Sequence, residues 1–369
     1  MKIGLWGWYG FRNCGDDILL WNLLSYLDTR NEITAFGDAD NLRRLSAPYG
    51  IVTARRSPWN LFRFSLTGDV LIIGPGGLFP FDNPPKLLFY SLITAVMRLR
   101  RKQAAYIGVG VGTPTLERKF NLRVLNGITG NASAFLSRSA NYLQFAPTLK
   151  INQIELSADA LFSDERLSEC AAEQEPDLVV MSLADIFDGL PSDALERFLT
   201  EFIPFARRVL DCGFRVRLIP FTNEKDQSIH DRVAALIQDN RLVSVPFHEN
   251  PYETFRELSR GSFCVGMRFH ALVMSFINHT PCLSVSYADK HLDLMERFGL
   301  GEYSTPYAPT GSRYFRREIP LNGQELWEKF DALRRNQERL RELIASRLPE
   351  MRSLSRKNRD AIAALWNKS

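Results

Sequence analysis

The sequence predicts an α/β protein of two tandem doubly wound, Rossmann-like domains, and three observations carry that expectation. Short apolar runs alternate with helical patterns from end to end, as βα units of parallel sheets require. The chain has 369 residues, a length that suits two domains. A polar, charged stretch over 163–177, containing Pro176, interrupts the apolar rhythm near the middle. The expected division is an N-terminal domain over 1–172, a C-terminal domain over 173–322 and a closing helical region over 323–369.

The elements follow in order. Apolar runs predict strands at 2–6, 33–36, 70–73, 105–109, 134–137 and 154–156, with the clearest helices at 17–27 and 86–100. The second half restarts with a strand at 178–182 and a helix at 193–211, which Cys212–Gly213 ends as a C-cap glycine would. Next come strand 215–220, helix 227–238, strand 242–245, helix 251–260, strand 263–267, helix 269–278, strand 282–286 and helix 290–298. A charged helical region over 323–366 closes the chain, with a break expected at Pro349. Its helices either cross back over the first domain or mediate self-association. Two such domains in tandem are expected to place a cleft between their strand C-termini, where open sheets bind ligands. This is the GT-B-like arrangement.

Composition narrows the class. Hydrophobic residues make up 45% and charged residues 24%, the balance of a globular protein. The net charge of +4 is small for the length, and basic and acidic residues are interleaved over most of the chain, so no nucleic-acid partner is expected. The five cysteines are widely spaced, with no CxxC pair or Cys/His cluster to hold zinc. Cys264 and Cys282 fall inside apolar strands and read as packed thiols, which fits a reducing cytoplasm. The N-terminus starts as a strand and lacks the apolar core of a signal peptide. The most apolar helical stretch, 87–97, is too short to span a bilayer.

Three glycine-rich loops follow strands of the first half. The first, GWYGFRNCGDD, leads into a helix and lacks GxGxxG spacing, so it supports no dinucleotide fingerprint. Asp16 is placed to cap that helix. Its charge would repel a phosphate and favours a sugar hydroxyl as neighbour; Asn13 is the better candidate for a ligand contact. The second loop, GPGGLF, carries Gly76 and Gly77, and the third, GVGVGT, carries Gly110. Each alone can be turn chemistry; together they outline one rim of a cleft. Arg138 follows an apolar strand and reads either as a site residue or as an exposed strand-end arginine, and Asp159 could equally cap a turn.

Arg268 and His270 stand apart. They separate FCVGM, a buried parallel strand, from FHALVMSFI, a helix apolar on most of its surface. Two cationic side chains are costly in a core. At the strand's C-terminal end they face a crevice beside the positive helix N-terminus. The competing reading is a hydrogen-bonded core histidine beside a salt-bridged arginine. Tyr287 and Lys290 end the next strand at the same rim, and such loops suit a multiply charged anion. For Lys290 alone, a surface lysine is an equal reading.

These pieces, in order, resemble the polysaccharide pyruvyl transferases over most of the chain, from Gly7 to about Leu300. The matching segments are GxxGxxNxGDD, DVLIIGPGG, GVGVG, Ser137–Arg138, ADALF and VGMRFHA, followed by PCLSVSY and Lys290. The resemblance implies a GT-B-like fold, phosphoenolpyruvate as donor substrate with no further cofactor and no metal, and pyruvate ketals on sugars as products. It places Arg268 and His270 on the family's arginine-x-histidine pair, implicated in donor binding and catalysis. Arg138 falls on a family arginine usually followed by aspartate, where this chain has Ser139.

On that reading Arg268 grips phosphate or carboxylate, Arg138 and Lys290 share the remaining charge, and His270 moves the proton. Asp16 and Asp159 are candidates for an assisting carboxylate. The acceptor is a saccharide of a polysaccharide or of a lipid-linked oligosaccharide, and the expected location is the cytoplasm, including the inner face of the membrane. The helix over 86–102, with its MRLRRK end, reads either as a core helix with a dipole-complementing basic end or as a surface resting on anionic lipid. Two rival functions share the two-domain plan: a GT-B glycosyltransferase using a nucleotide sugar, and a non-catalytic relative that binds sugars or anions.

Overall fold

The computed structural model describes residues 1–28, 30–79, 82–148, 154–315 and 317–366. It divides into two compact units, 1–163 with 350–369, and 164–349.

The first unit is a parallel sheet of β1 (Lys2–Tyr9), β2 (Glu32–Gly37), β3 (Val52–Arg55), β4 (Val70–Ile73), β5 (Gly76–Phe79), β6 (Gln103–Val111), β7 (Ala134–Ser137) and β8 (Glu155–Leu156). The order is β3-β2-β1-β4-β6-β7-β8, with β5 paired to β6. Helices α1 (Cys14–Leu24), α2 (Ala39–Ser46), α3 (Pro58–Thr67), α4 (Pro84–Leu99), the short α5 (Thr113–Leu116) and α6 (Lys119–Asn131) surround it. The sheet has a core on each face. Leu61 of α3, Leu87, Tyr90, Ile93 and Met97 of α4, and Leu122, Leu125 and Ile128 of α6 pack on one. Leu20, Leu23 and Leu24 of α1, Leu42 of α2, and Ile362 and Leu365 near the C-terminus pack on the other.

The second unit holds α7 (Glu165–Cys170), β9 (Glu175–Ser182), α8 (Ala194–Asp211), β10 (Arg215–Leu218), α9 (Asn223–Ile237), β11 (Leu242–Ser244), α10 (Pro251–Ser259), β12 (Gly261–Gly266), α11 (Phe269–Ile277), β13 (Cys282–Ser286), α12 (Asp289–Arg297) and β14 (Ser304–Pro306). Its parallel order, β11-β10-β9-β12-β13-β14, is the dinucleotide-fold order 3-2-1-4-5-6. Strand β12 lies fully buried between β9 and β13, which is why its sequence is a continuous apolar run. Cys264 and Cys282 are register partners on β12 and β13, both buried free thiols.

The boundary differs from the expected 172/173. Asp164 caps α7 by accepting from Arg166 N, Leu167 is buried, and Ala172 N donates to Ser259 Oγ at 2.8 Å, so the polar stretch belongs to the second unit. The closing region is not a separate body. Helix α13 (Gly323–Arg335) buries Leu326, Phe330 and Leu333 in the second unit. The break falls at Asn336 rather than Pro349: Asn336 Nδ2 donates to Ala332 O at 2.8 Å and ends α13. Helix α14 (Gln337–Trp366) then continues through Pro349, which only withholds one N–H from Ala345 O. Residues 350–366 rejoin the first unit, where Asn358 Nδ2 donates to Ala158 O and Gln103 Nε2 to Leu365 O.

Candidate functional site

Each sheet reverses its strand order once, and the predicted residues lie at the C-terminal strand ends at or beside those two switch points. In the first unit the switch lies between β1 and β4. Asn13, not Asp16, caps α1, accepting from Gly15 N at 3.2 Å, while its Nδ2 donates to Asp16 Oδ2 at 2.8 Å. Asp17 accepts from Gly10 N at 2.7 Å and pins the loop. The second glycine loop is partly a strand: Gly76 of β5 pairs opposite Val109 of β6. Gly76 has φ 135°, and a Cβ there would sit 3.3 Å from Asp16 Oδ1, so the position requires glycine.

Arg138 is buried and ion-paired through Nη1 with Asp159 Oδ2, both side chains 1% exposed. Asp159 Oδ1 also accepts from Leu161 N, so the carboxylate closes a turn and neutralises the arginine together. Cβ atoms on Gly77 and Gly110 would lie 3.8 and 3.5 Å from Arg138 Nη2 and Nε. The structure therefore brings Arg138, Gly77 and Gly110 together, and joins Asn13, Asp16 and Gly76 beside them along the same strand ends.

In the second unit the switch lies between β9 and β12, and Arg268, two residues past the end of β12, is the N-cap of α11. Its guanidinium is not open on all sides. Nε donates to Asp226 Oδ2 at 2.8 Å, and Nη2 donates to Asp226 Oδ1 and to Thr222 Oγ1 at 2.9 Å. Nη1 makes no hydrogen bond among the described residues, and 16% of the side chain is exposed. Asp226, fully buried in the first turn of α9, also accepts from Asp185 N, Phe221 N and Thr222 N. One carboxylate thus ties together the loops after β9, β10 and β12. Burial alone would raise its pKa, but the charge and hydrogen bonds of Arg268 prevail and lower it. Burial works against the arginine's charge too, and Asp226 reverses that, raising its pKa. One turn along α9, His230 Nε2 accepts from Leu183 N at 3.1 Å, and burial pushes its pKa down to about 4, keeping the ring neutral.

His270 sits in the first turn of α11, 8% exposed, its ring edge-on to Phe269 at 5.4 Å. Lys290 Nζ, in the first turn of α12, stands 5.4 Å over Phe269 and 5.7 Å over Tyr287. Tyr287 packs against His291 at 4.6 Å and Tyr314 at 5.2 Å. Arg268, His270, Tyr287 and Lys290 therefore share the ends of two adjacent strands, walled by aromatic rings. Asp226, Thr222 and Tyr314 were not foreseen. Asp226 had one signal, an acidic residue in the first turn after a strand; Tyr314 had none. A cavity of about 250 Å³ lined by Phe198, Tyr307 and Leu321 lies in the same unit and includes none of the predicted residues. Its apolar wall offers an anion little, so the strand-end cluster is the better candidate.

The chain matches solved structures over its whole length at low identity. The putative UDP-N-acetylglucosamine 2-epimerase of Listeria monocytogenes superposes with TM-score 0.66 at 8% identity, covering 100% of this chain and 97% of that one. The UDP-GlcNAc 2-epimerase of Neisseria meningitidis gives 0.60 at 8% identity, covering 99% and 100%. A glycosyltransferase from Rickettsia africae gives 0.57 at 10% identity, covering 100% and 99%. These likenesses fix the fold as GT-B-like and go no further. A search of the curated proteins found no match. The family model for polysaccharide pyruvyl transferases matches residues 13–289, from the loop after β1 to the start of α12, and the chain belongs to that family.

Proposed function

We propose that the protein transfers the pyruvyl group of phosphoenolpyruvate to two hydroxyls of a saccharide, forming a ketal and releasing phosphate. The observation that carries the reading is the gathering of an Asp226-oriented Arg268 with His270 and Lys290 at the ends of β12 and β13, in a chain of this family. Arg268, oriented by Asp226, offers its Nη1 edge to phosphate or carboxylate, and Lys290 supplies a second charge above Phe269 and Tyr287. His270 delivers a proton to the enol methylene carbon, so that positive charge develops on the carbon bearing the phosphate ester. One sugar hydroxyl adds there and loses its proton. The phosphate leaves with the C–O bonding pair, and a second hydroxyl closes the ketal. Of the two hydroxyl protons, one ends on the new methyl group and one on phosphate.

The loops around Asn13, Asp16, Gly76, Gly77 and Gly110 supply the acceptor side, where Asp16 suits a sugar hydroxyl better than a phosphate. Arg138, neutralised by Asp159, holds that rim in shape rather than gripping the donor. Incubating the full chain with phosphoenolpyruvate and candidate glycosides, with phosphate release and the ketal product read by mass spectrometry and NMR, tests the proposal. Near-normal turnover by Arg268→Ala or His270→Ala would sink it. Thermal stabilisation by uridine diphosphate sugars and not by phosphoenolpyruvate would favour a nucleotide-sugar glycosyltransferase instead.

A further inference from the structure

Helices α3, α4 and α6 form one layer over a single face of the first unit's sheet. Arg100 Nη1 donates to Ser65 O and Gly68 O at the end of α3, and Arg98 Nη1 to Gly130 O of α6, which fastens the three together. Their inner sides fill the core already described. The outer sides of α3 and α4 also carry apolar stripes, where a helix facing water should be polar. On α4, Leu88, Leu92 and Leu99 are 49%, 51% and 84% exposed and lie on one stripe by helical spacing. On α3, Trp59 and Leu66 are 64% and 47% exposed, two turns apart on one stripe. Exposed apolar residues grouped on adjacent helices mark a contact surface.

Charge identifies what it contacts. Residues 55–131 hold eleven Lys and Arg against three Asp and Glu, a net +8, whereas the whole chain carries +4. The remainder of the protein is therefore net negative, and the basic excess belongs to the segment that bears this layer. Two of the three acids are already paired, Asp69 with Lys102 and Asp82 with Arg118. Arg63, Arg98, Arg101, Lys119 and Arg123, carried on or directly after the same three helices, are exposed. Two copies of so positive a face would repel each other. An anionic lipid surface meets both features, taking the leucines and Trp59 into its interface while its headgroups pair with the basic rim.

We propose that the outer face of α3, α4 and α6 docks on an anionic bilayer surface. The inference goes beyond the proposed reaction and does not depend on the donor.

The test uses the full chain with phosphatidylcholine vesicles, alone or with about a third phosphatidylglycerol. Partitioning should rise by about tenfold or more on the anionic vesicles and fall with added salt. The pair Leu92→Glu with Leu99→Glu should cut it by about tenfold while leaving thermal unfolding unchanged, since both side chains are exposed. A vesicle-induced blue shift of tryptophan emission should disappear in Trp59→Phe, which keeps the test standing if the double variant misfolds. Equal binding to neutral and anionic vesicles, or none, overturns the proposal. So does a variant that changes only a concentration-dependent particle mass, because the face would then be covered by a second copy.

Discussion

Replacing Asp226 with asparagine tests how the second switch point is built. The carboxylate is fully buried and receives five hydrogen bonds: Phe221 N, Thr222 N and Arg268 Nε on Oδ2, and Asp185 N and Arg268 Nη2 on Oδ1. An amide cannot satisfy this set in either orientation. With its NH2 at the Oδ1 position it meets two donors, and at Oδ2 it meets three. The milder choice still strands Asp185 N and removes the counter-ion of Arg268. A stranded buried donor costs about 1–3 kcal/mol, and breaking a buried ion pair from one side costs about 3–5 kcal/mol. The two overlap, so Asp226→Asn should lower the stability of the second unit by about 4 kcal/mol. The lowered carboxyl pKa adds a pH signature. Asp226 contributes stability above its unfolded pKa and loses it as pH falls through its folded one, and that acid-limb loss should be missing in the variant. Denaturant unfolding of the full chain, in cycle with Arg268→Met, measures both. A cost under about 1 kcal/mol would refute the hub assignment.

Other consequences can be checked in the same preparations. His270→Ala should reduce turnover with phosphoenolpyruvate by about a hundredfold or more, as expected for loss of a proton-transfer group. Acidification should destabilise the second unit through His230. Its folded pKa of about 4 lies below the ordinary 6.5, so the unfolded chain gains a proton in that window that the folded chain refuses. Stability should drop by about 3 kcal/mol from pH 6.5 to pH 4, and His230→Gln should flatten the slope. Gly110→Ala meets only ordinary contacts, so its unfolding free energy should move by about 1 kcal/mol at most, while ketal formation falls as the methyl narrows the proposed acceptor rim. Gly74→Ala, with φ 101° and its Cβ overlapping Ile107 O, should instead unfold the first unit.

The sequence revealed most where burial is two-sided. Strands β4, β7 and β13 begin and end where their apolar runs do, because each lies inside its sheet and every residue of the run is covered or nearly so. Strand β3, with its half-exposed VTAR, lacked that signal and was missed. Helix α6 carries Gly127 and Gly130 and several β-branched residues, so its helicity comes from packing against α4 rather than from local preference. The arginines of the site were legible because charge at an apolar strand end is costly. Their counter-ions were not. Asp159 lies 21 residues from Arg138 and Asp226 lies 42 from Arg268, and no local pattern spans such separations. Of the two readings open for Arg268, the salt bridge is real, and Nη1 keeps a ligand contact compatible with it.

Those counter-ions bear on how the site would hold a donor. Arg138 and Arg268 are each cancelled by an aspartate, so neither pair adds net charge at its strand end. What Asp226 gives Arg268 is orientation: the guanidinium is fixed before a ligand arrives, and little side-chain entropy is lost when Nη1 donates. Lys290, half-buried over Phe269 and Tyr287, is the second cation at these strand ends and a candidate contact for the donor's phosphate or carboxylate. Lys290→Met keeps the apolar stem against those rings and deletes the charge. A charge-assisted hydrogen bond contributes about 1.5–3 kcal/mol, so KM for phosphoenolpyruvate should rise by roughly ten- to a hundredfold, with a smaller change in kcat. Steady-state kinetics at two ionic strengths would show it, the parent losing more affinity in salt than the variant. A KM that does not move, with Arg268→Lys equally silent, would mean the anion is held elsewhere.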